Sequence, residues 1–246
     1  MPHFGDDLLL GTAFAGGSGG DTDGPSPMTM GVGPMGRVYV FDVAPLTLQT
    51  AGLSAAASIG SGGSAILAAG TGVTTTTDSS GTIRYVLDVA RSVTVTAAGA
   101  NTATYTITGY DFYGQKLSET IAAPSTSTVA TTKMFKSVIS ITNANAAASG
   151  SNISAGYGDV IGLPYRVTTR DYINFNYNAT VGLLSAVTVA DQTAVSTTTG
   201  DVRGKITLAS AADGTKRLVA IIALPALASG PNATRIGAFG LTQNLS

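Results

Sequence analysis

Short runs in which apolar and hydroxyl-bearing residues alternate recur along most of this chain. Ser92-Val93-Thr94-Val95-Thr96 and Thr104-Tyr105-Thr106-Ile107-Thr108 put Val, Tyr and Ile on one side and Ser or Thr on the other. A period of two marks a strand with one buried and one solvated face. The same reading predicts strands at 38–41, 84–89, 116–121, 137–142, 165–169, 172–177, 187–190, 204–208 and 217–224. Turn chemistry separates them: Asp78-Ser79-Ser80-Gly81, Ala98-Gly99-Ala100-Asn101 and Asp213-Gly214 accept positive φ or bond their own backbone. No long stretch carries a 3.6-residue period. Residues 51–69 have helical propensity but are cut by Gly60, Gly62 and Gly63, so a short helix or an irregular connection is expected there.

The pattern implies an all-β fold, an antiparallel β-sandwich of jelly-roll or immunoglobulin-like type with an extended N-terminal arm. The arm is residues 1–36, where Gly16-Gly17-Ser18-Gly19-Gly20 and Asp23-Gly24-Pro25 exclude a helix or a central strand. The sandwich is expected over 37–230, with room for two sub-domains dividing near 150–165, and 231–246 forms a C-terminal extension. Ordering a Gly-rich arm costs about 1–2 kcal/mol per residue, which contact with a partner would offset. Phe4, Leu8, Leu9, Leu10, Phe14, Met28, Met30 and Met35 are its apolar side chains and the candidate partner contacts.

Composition narrows the function. Charged residues make up 11% of the chain and the net charge is −1, against about 25% charged in ordinary domains. No basic surface is available to grip nucleic acid. Hydrophobic content of 44% and a mean hydropathy of +0.29 argue against charge-driven disorder. The longest apolar runs, Leu218 to Leu224 and Ile59 to Ala69, are too short or too broken for a membrane span. Asp6 and Asp7 stand where a secretory signal would be basic, so synthesis and retention in a cytoplasm are expected. A surface this poor in charge is badly protected against association, which points to neighbours covering it.

Candidate chemistry is sparse. There is no cysteine, no tryptophan, and one histidine, His3, on the Gly-rich arm. Nucleophilic catalysis needs a nucleophile with a base held beside it, so no enzymatic activity is expected. Lys116, Lys133, Lys136, Lys205 and Lys216 read as solvated charges on strand edges. Asp21 with Asp23, Asp6 with Asp7, and Asp111 with Glu119 are spaced for a hard cation but read better as turn acids and edge charges. Asp78, Asp159, Asp201 and Asp213 likewise read as turn residues. No metal or cofactor is expected. Tyr110, Phe112 and Tyr113 cluster in one turn and form a possible binding loop, while Tyr172, Phe175 and Tyr177 read as core.

One segment resembles a known class. Thr104 to Thr108 runs into Gly109-Tyr110-Asp111-Phe112-Tyr113-Gly114-Gln115 and then Ser118-Glu119-Thr120. This hairpin is similar to those of virion proteins of tailed bacteriophages. Gly158-Asp159-Val160-Ile161-Gly162-Leu163-Pro164-Tyr165 and Thr199-Gly200-Asp201-Val202-Arg203-Gly204 look like the same class, particularly its capsid decoration or cement proteins. The resemblance implies a structural protein on the capsid surface of a virion, made in the host cytoplasm. Its implied partners are the major capsid protein and neighbouring copies of itself, with neither nucleic acid nor membrane. It brings no catalytic residues. Two other readings fit the same residues: a head or tail fibre subunit that binds host glycans through Tyr110 to Tyr113, and a tail or connector component.

Overall fold

The computed structural model describes residues 8–10, 36–122, 124–144, 151–167, 169–190, 201 and 203–224. They form an all-β body in which every strand pairing is antiparallel. In chain order the strands are β1 (Leu8–Leu10), β2 (Gly36–Val43), β3 (Gln49–Ala57), β4 (Val73–Thr77), β5 (Ile83–Ala97), β6 (Tyr105–Tyr110) and β7 (Lys116–Ile121). They continue with β8 (Thr128–Asn143), β9 (Ile153–Gly162), β10 (Ile173–Tyr177), β11 (Thr180–Val181), β12 (Val187–Val189), β13 (Gly204–Thr207) and β14 (Leu218–Leu224). A five-stranded sheet runs β1-β2-β14-β10-β11. A nine-stranded sheet runs β12-β13-β9-β5-β8-β6-β7, with β3 on β9 and β4 on β5.

Two apolar cores follow from this arrangement. In the first, the large sheet curls over its own side chains: Leu53, Val93, Val95, Tyr105, Ile107, Phe135, Ile141, Ile153 and Tyr157 pack together. In the second, the five-stranded sheet lies against one end of the large sheet. There Phe41, Phe175, Tyr177, Leu218 and Ile222 meet Val89, Ile161, Val187 and Ile206. Strands β5 and β9 each contribute to both cores. The expected sandwich is therefore present, with its layers drawn from distant parts of the chain.

Residues 51–69, expected as a short helix or an irregular connection, hold no helix: they open as a strand and continue as an irregular connection. Residues 49–57 are β3, and the segment after it is an extended strap. The Asn143 amide donates to Gly63 O at 2.8 Å and the Ala65 amide to Ile141 O at 2.8 Å. Further along, the Ala68 amide donates to Leu53 O at 2.8 Å and the Gly70 amide to Gly52 O at 3.0 Å. Ala65 and Leu67 point into the first core while Ile66 stays exposed. A period of two overrides the alanine propensity because the strap spans the gap between β8 and β3. The strand expected at 165–169 is not found among its described residues, 165–167 and 169, and Arg170–Tyr172 is a single 3-10 turn.

The charged residue at the junction of the cores is Arg91, which is fully buried. Its Nε donates to Gly158 O at 2.8 Å and its Nη1 to Leu46 O at 2.8 Å. Nη1 also reaches Asp88 Oδ2 at 3.1 Å, and Nη2 reaches Asp159 Oδ1 at 2.8 Å. The guanidinium lies over the Tyr157 ring, 4.7 Å from its centroid. Asp159 is thus a strand residue of β9 paired with a cation, not the turn acid its sequence context suggested. Removing one member of a buried ion pair typically costs about 3–5 kcal/mol. Arg91→Ala is expected to lower the unfolding free energy by about that much, read from urea denaturation; a change within measurement error would refute the junction role.

Candidate functional site

In a two-layer sandwich the outer face of each sheet is ordinarily polar. The five-stranded sheet departs from this. Along β2, Phe41 is buried while Val40 is 64% exposed; along β14, Leu218, Ala220 and Ile222 are buried while Ile221 is 48% exposed. Register places Val40 opposite Ile221 and Ile221 opposite Asn174. Val219 lies opposite both Asp42 and Asn176, and Val181 lies beyond Asn176.

The β10–β11 hairpin extends this face. Asn178 and Ala179 take positive φ, at 50° and 59°, to turn it. The Gly182 amide then donates to Phe175 O at 2.8 Å. A Cβ on Gly182 would stand 2.0 Å from the Phe175 ring, so only glycine lets the chain lie this close. With Gly182 turned inward, Val181 and Leu183 turn outward, 70% and 75% exposed. The charges on this face, Asp42 and Arg217, are bound to each other as an ion pair. A row of exposed Val, Ile and Leu with two asparagines and a self-neutralised ion pair has the character of a contact surface.

The aromatic turn is built differently. Asp111 Oδ1 accepts the Tyr113 and Gln115 amides at 2.8 and 2.9 Å, and Gly114 adopts φ of 78°. Asp78 does the same at the β4–β5 turn, accepting the Ser80 and Thr82 amides at 2.9 and 3.0 Å, with Gly81 at φ of 81°. The D-x-x-G sequence is therefore a turn device used twice. Arg84 covers the Tyr110 ring at 3.8 Å. Arg203 lies 4.8 Å from the Tyr113 ring, which packs edge-on against Phe112. Burial lifts the Tyr113 hydroxyl to about 12. Phe112 is the exposed ring of the three.

Beneath this turn the ionisable groups are committed to the fold. Asp111 Oδ2 pairs with Arg203 at 2.8 Å. Glu119 accepts the amides of Thr132 and Lys133 at 2.8 and 2.9 Å. Asp201 accepts the Met134 and Arg203 amides, each at 2.9 Å, and burial pushes its carboxyl above the usual range. Asp111 and Glu119 thus have separate partners. Among the described residues no three His, Asp or Glu side chains converge as a metal site would require. Lys133 corrects its sequence reading: it is buried, donates to Ser118 O at 2.9 Å, and has its pKa lowered by burial. Lys136 is half-buried and donates to Leu87 O and Asp88 O.

Of the arm residues expected to touch a partner, Phe4, Phe14, Met28, Met30 and Met35 lie outside the described residues. Leu8, Leu9 and Leu10 form β1 and pair with β2, adding to the edge of the small sheet. The apolar outer face itself was legible only faintly. Val38-Tyr39-Val40-Phe41 and Leu218 to Ala223 are apolar at successive positions, the pattern of a strand covered on both sides. No protein-family model, curated protein or solved structure matches this chain.

The twin turns yield a matched pair of predictions. Each aspartate holds a turn and an ion pair, but the Asp111–Arg203 pair is buried while Asp78–Arg84 is more exposed, so Asp111→Asn is expected to be the more destabilising in thermal melts. The Ser80 hydroxyl, the Thr82 amide and Arg84 hold Asp78 at about 2, below its ordinary value. Its contribution is therefore present above the ordinary carboxylate range and lost as pH falls toward 2. The stability gap between wild type and Asp78→Asn should close over that window; a gap independent of pH would refute the assignment.

Proposed function

We propose that this chain is a structural protein of a tailed-phage virion, a cement protein that binds the outside of the capsid and stabilises the shell. Its partners are the major capsid protein and neighbouring copies of itself. The observation that carries this reading is the small sheet with apolar residues on both faces. Burying a Val, Leu or Ile side chain contributes about 1.5–3 kcal/mol, so a shell carrying many such contacts gains without any reaction being performed. The rigid body beneath that face and the hairpin of residues 104–121, which resembles those of phage virion proteins, support the same reading. A fibre reading would rest on Phe112, since Arg84 and Arg203 cover its two neighbours.

Imaging heads purified away from tails, with and without added protein, tests this. Density following the shell lattice is expected, and bare shells would overturn the proposal. Deleting residues 1–36 should reduce occupancy on heads; undiminished occupancy would exclude the arm, β1 included, as an attachment element.

A further inference from the structure

We infer that the outer face of the five-stranded sheet packs against the same face of a second copy of this chain, forming a two-fold dimer. The inference rests on the proposed structural role and names the partner of its surface. In a two-fold contact each residue meets its equivalent or a symmetry mate, so a surface must be complementary to itself. A surface with one sign of charge fails that condition. This face meets it: its centre is Val40, Ile221 and Val219, Val181 and Leu183 are exposed along its β11 edge, and Asp42 and Arg217 neutralise each other at one border. Asn174, level with Ile221, and Asn176 stand among the apolar side chains; an amide carries both donors and an acceptor, so Asn174 can meet its own copy and neither asparagine brings like-charge repulsion. A carboxylate or an ammonium at those positions would repel its mate.

The shape fits as well. The three central strands β2, β14 and β10, of eight, seven and five residues, stand about 4.8 Å apart and form the body of the face, with the short β1 and β11 at its edges. Identical sheets share the same twist and stack about 10 Å apart with their strands nearly aligned. The dimer would have four layers, with the two small sheets innermost. β14 is the middle strand of the five and Ile221 lies at its middle, so the two-fold axis passes close to Ile221.

Sedimentation velocity on the full chain across the micromolar range, in the absence of heads, tests the inference. Wild type should sediment as a dimer. Val40→Lys combined with Ile221→Lys places unpaired ammonium groups in the contact and should weaken association by about 100-fold or more, with the circular dichroism spectrum unchanged because both positions face solvent in the monomer. The chain has no cysteine, so Ile221→Cys introduces a single thiol beside the proposed axis. Mild oxidation should link it into dimers far more readily than Ile66→Cys on the exposed strap. A monomeric wild type, a lysine variant that still dimerises, or equal cross-linking of the two cysteines would each overturn the inference. A monomeric wild type would leave the face to another protein or to the chain's own terminal segments. Decorated heads with no free dimer would sink the inference and spare the structural role; a dimer that ignores heads would do the reverse.

Discussion

The buried guanidinium of Arg91 is the contact on which the two-core arrangement depends. A charge placed where water cannot reach is tolerated only if its donors are satisfied and its charge is met. Gly158 and Leu46 satisfy two donors, and Asp88 and Asp159 meet the charge. The same two aspartates bind the chain further: Asp88 Oδ2 accepts the Leu46 amide, and the Asp159 carbonyl accepts the Leu208 amide. Arg91 therefore fixes β5, β9 and two connecting segments in one place. Strand register responds to it. The pairing of β5 with β8 shifts between Val86 and Arg91, and its pairing with β9 shifts between Arg91 and Val93. Those irregularities fall in the stretch where β5 leaves the first core after Leu87, gives Val89 to the second and returns to the first at Val93.

Once β5 and β9 are fixed in this way, the large sheet has to close over its own core. Its strands do so by curling, and the strap after β3 bridges the remaining gap from β8 to β3. The small sheet has no such internal solution. Its inner face is covered by the second core, and it is too narrow to curl. Its outer apolar residues, Val40, Val181 and Ile221, stay exposed on the described body.

The sequence showed the type of structure more clearly than its connections. Alternating Ser/Thr and Val/Ile/Tyr gave β6 and β7 nearly to the residue, and the D-x-x-G turns were readable because their chemistry is local. β9 was hidden by Gly156, Gly158 and Gly162. In the structure a Cβ on Gly156 would stand 1.7 Å from Gln49 O, so a residue that weakens a strand by propensity is there to let β3 approach. β4, Val73 with four threonines, carries no alternation and was missed for that reason. Lys133 and Lys136 were misleading in another way, and Arg91 gave no signal at all. Their burial depends on partners tens of residues distant, and no local pattern distinguishes a buried cation from a solvated one. The outer face required the strand register, which only the folded chain supplies.

The scarcity of charge and the burial of charge have a common consequence at the surface. The chain has 13 Lys and Arg and 14 Asp and Glu in all, and the fold draws Arg91, Arg203, Lys133, Asp111, Asp201 and Glu119 inside. That leaves fewer ions outside than an already low total would provide. Ordinary soluble domains use surface charge to keep copies apart. Here the same groups hold the interior in register, and close approach between copies meets little electrostatic opposition. A protein built this way places its ion pairs within the fold and gives up long-range repulsion outside it.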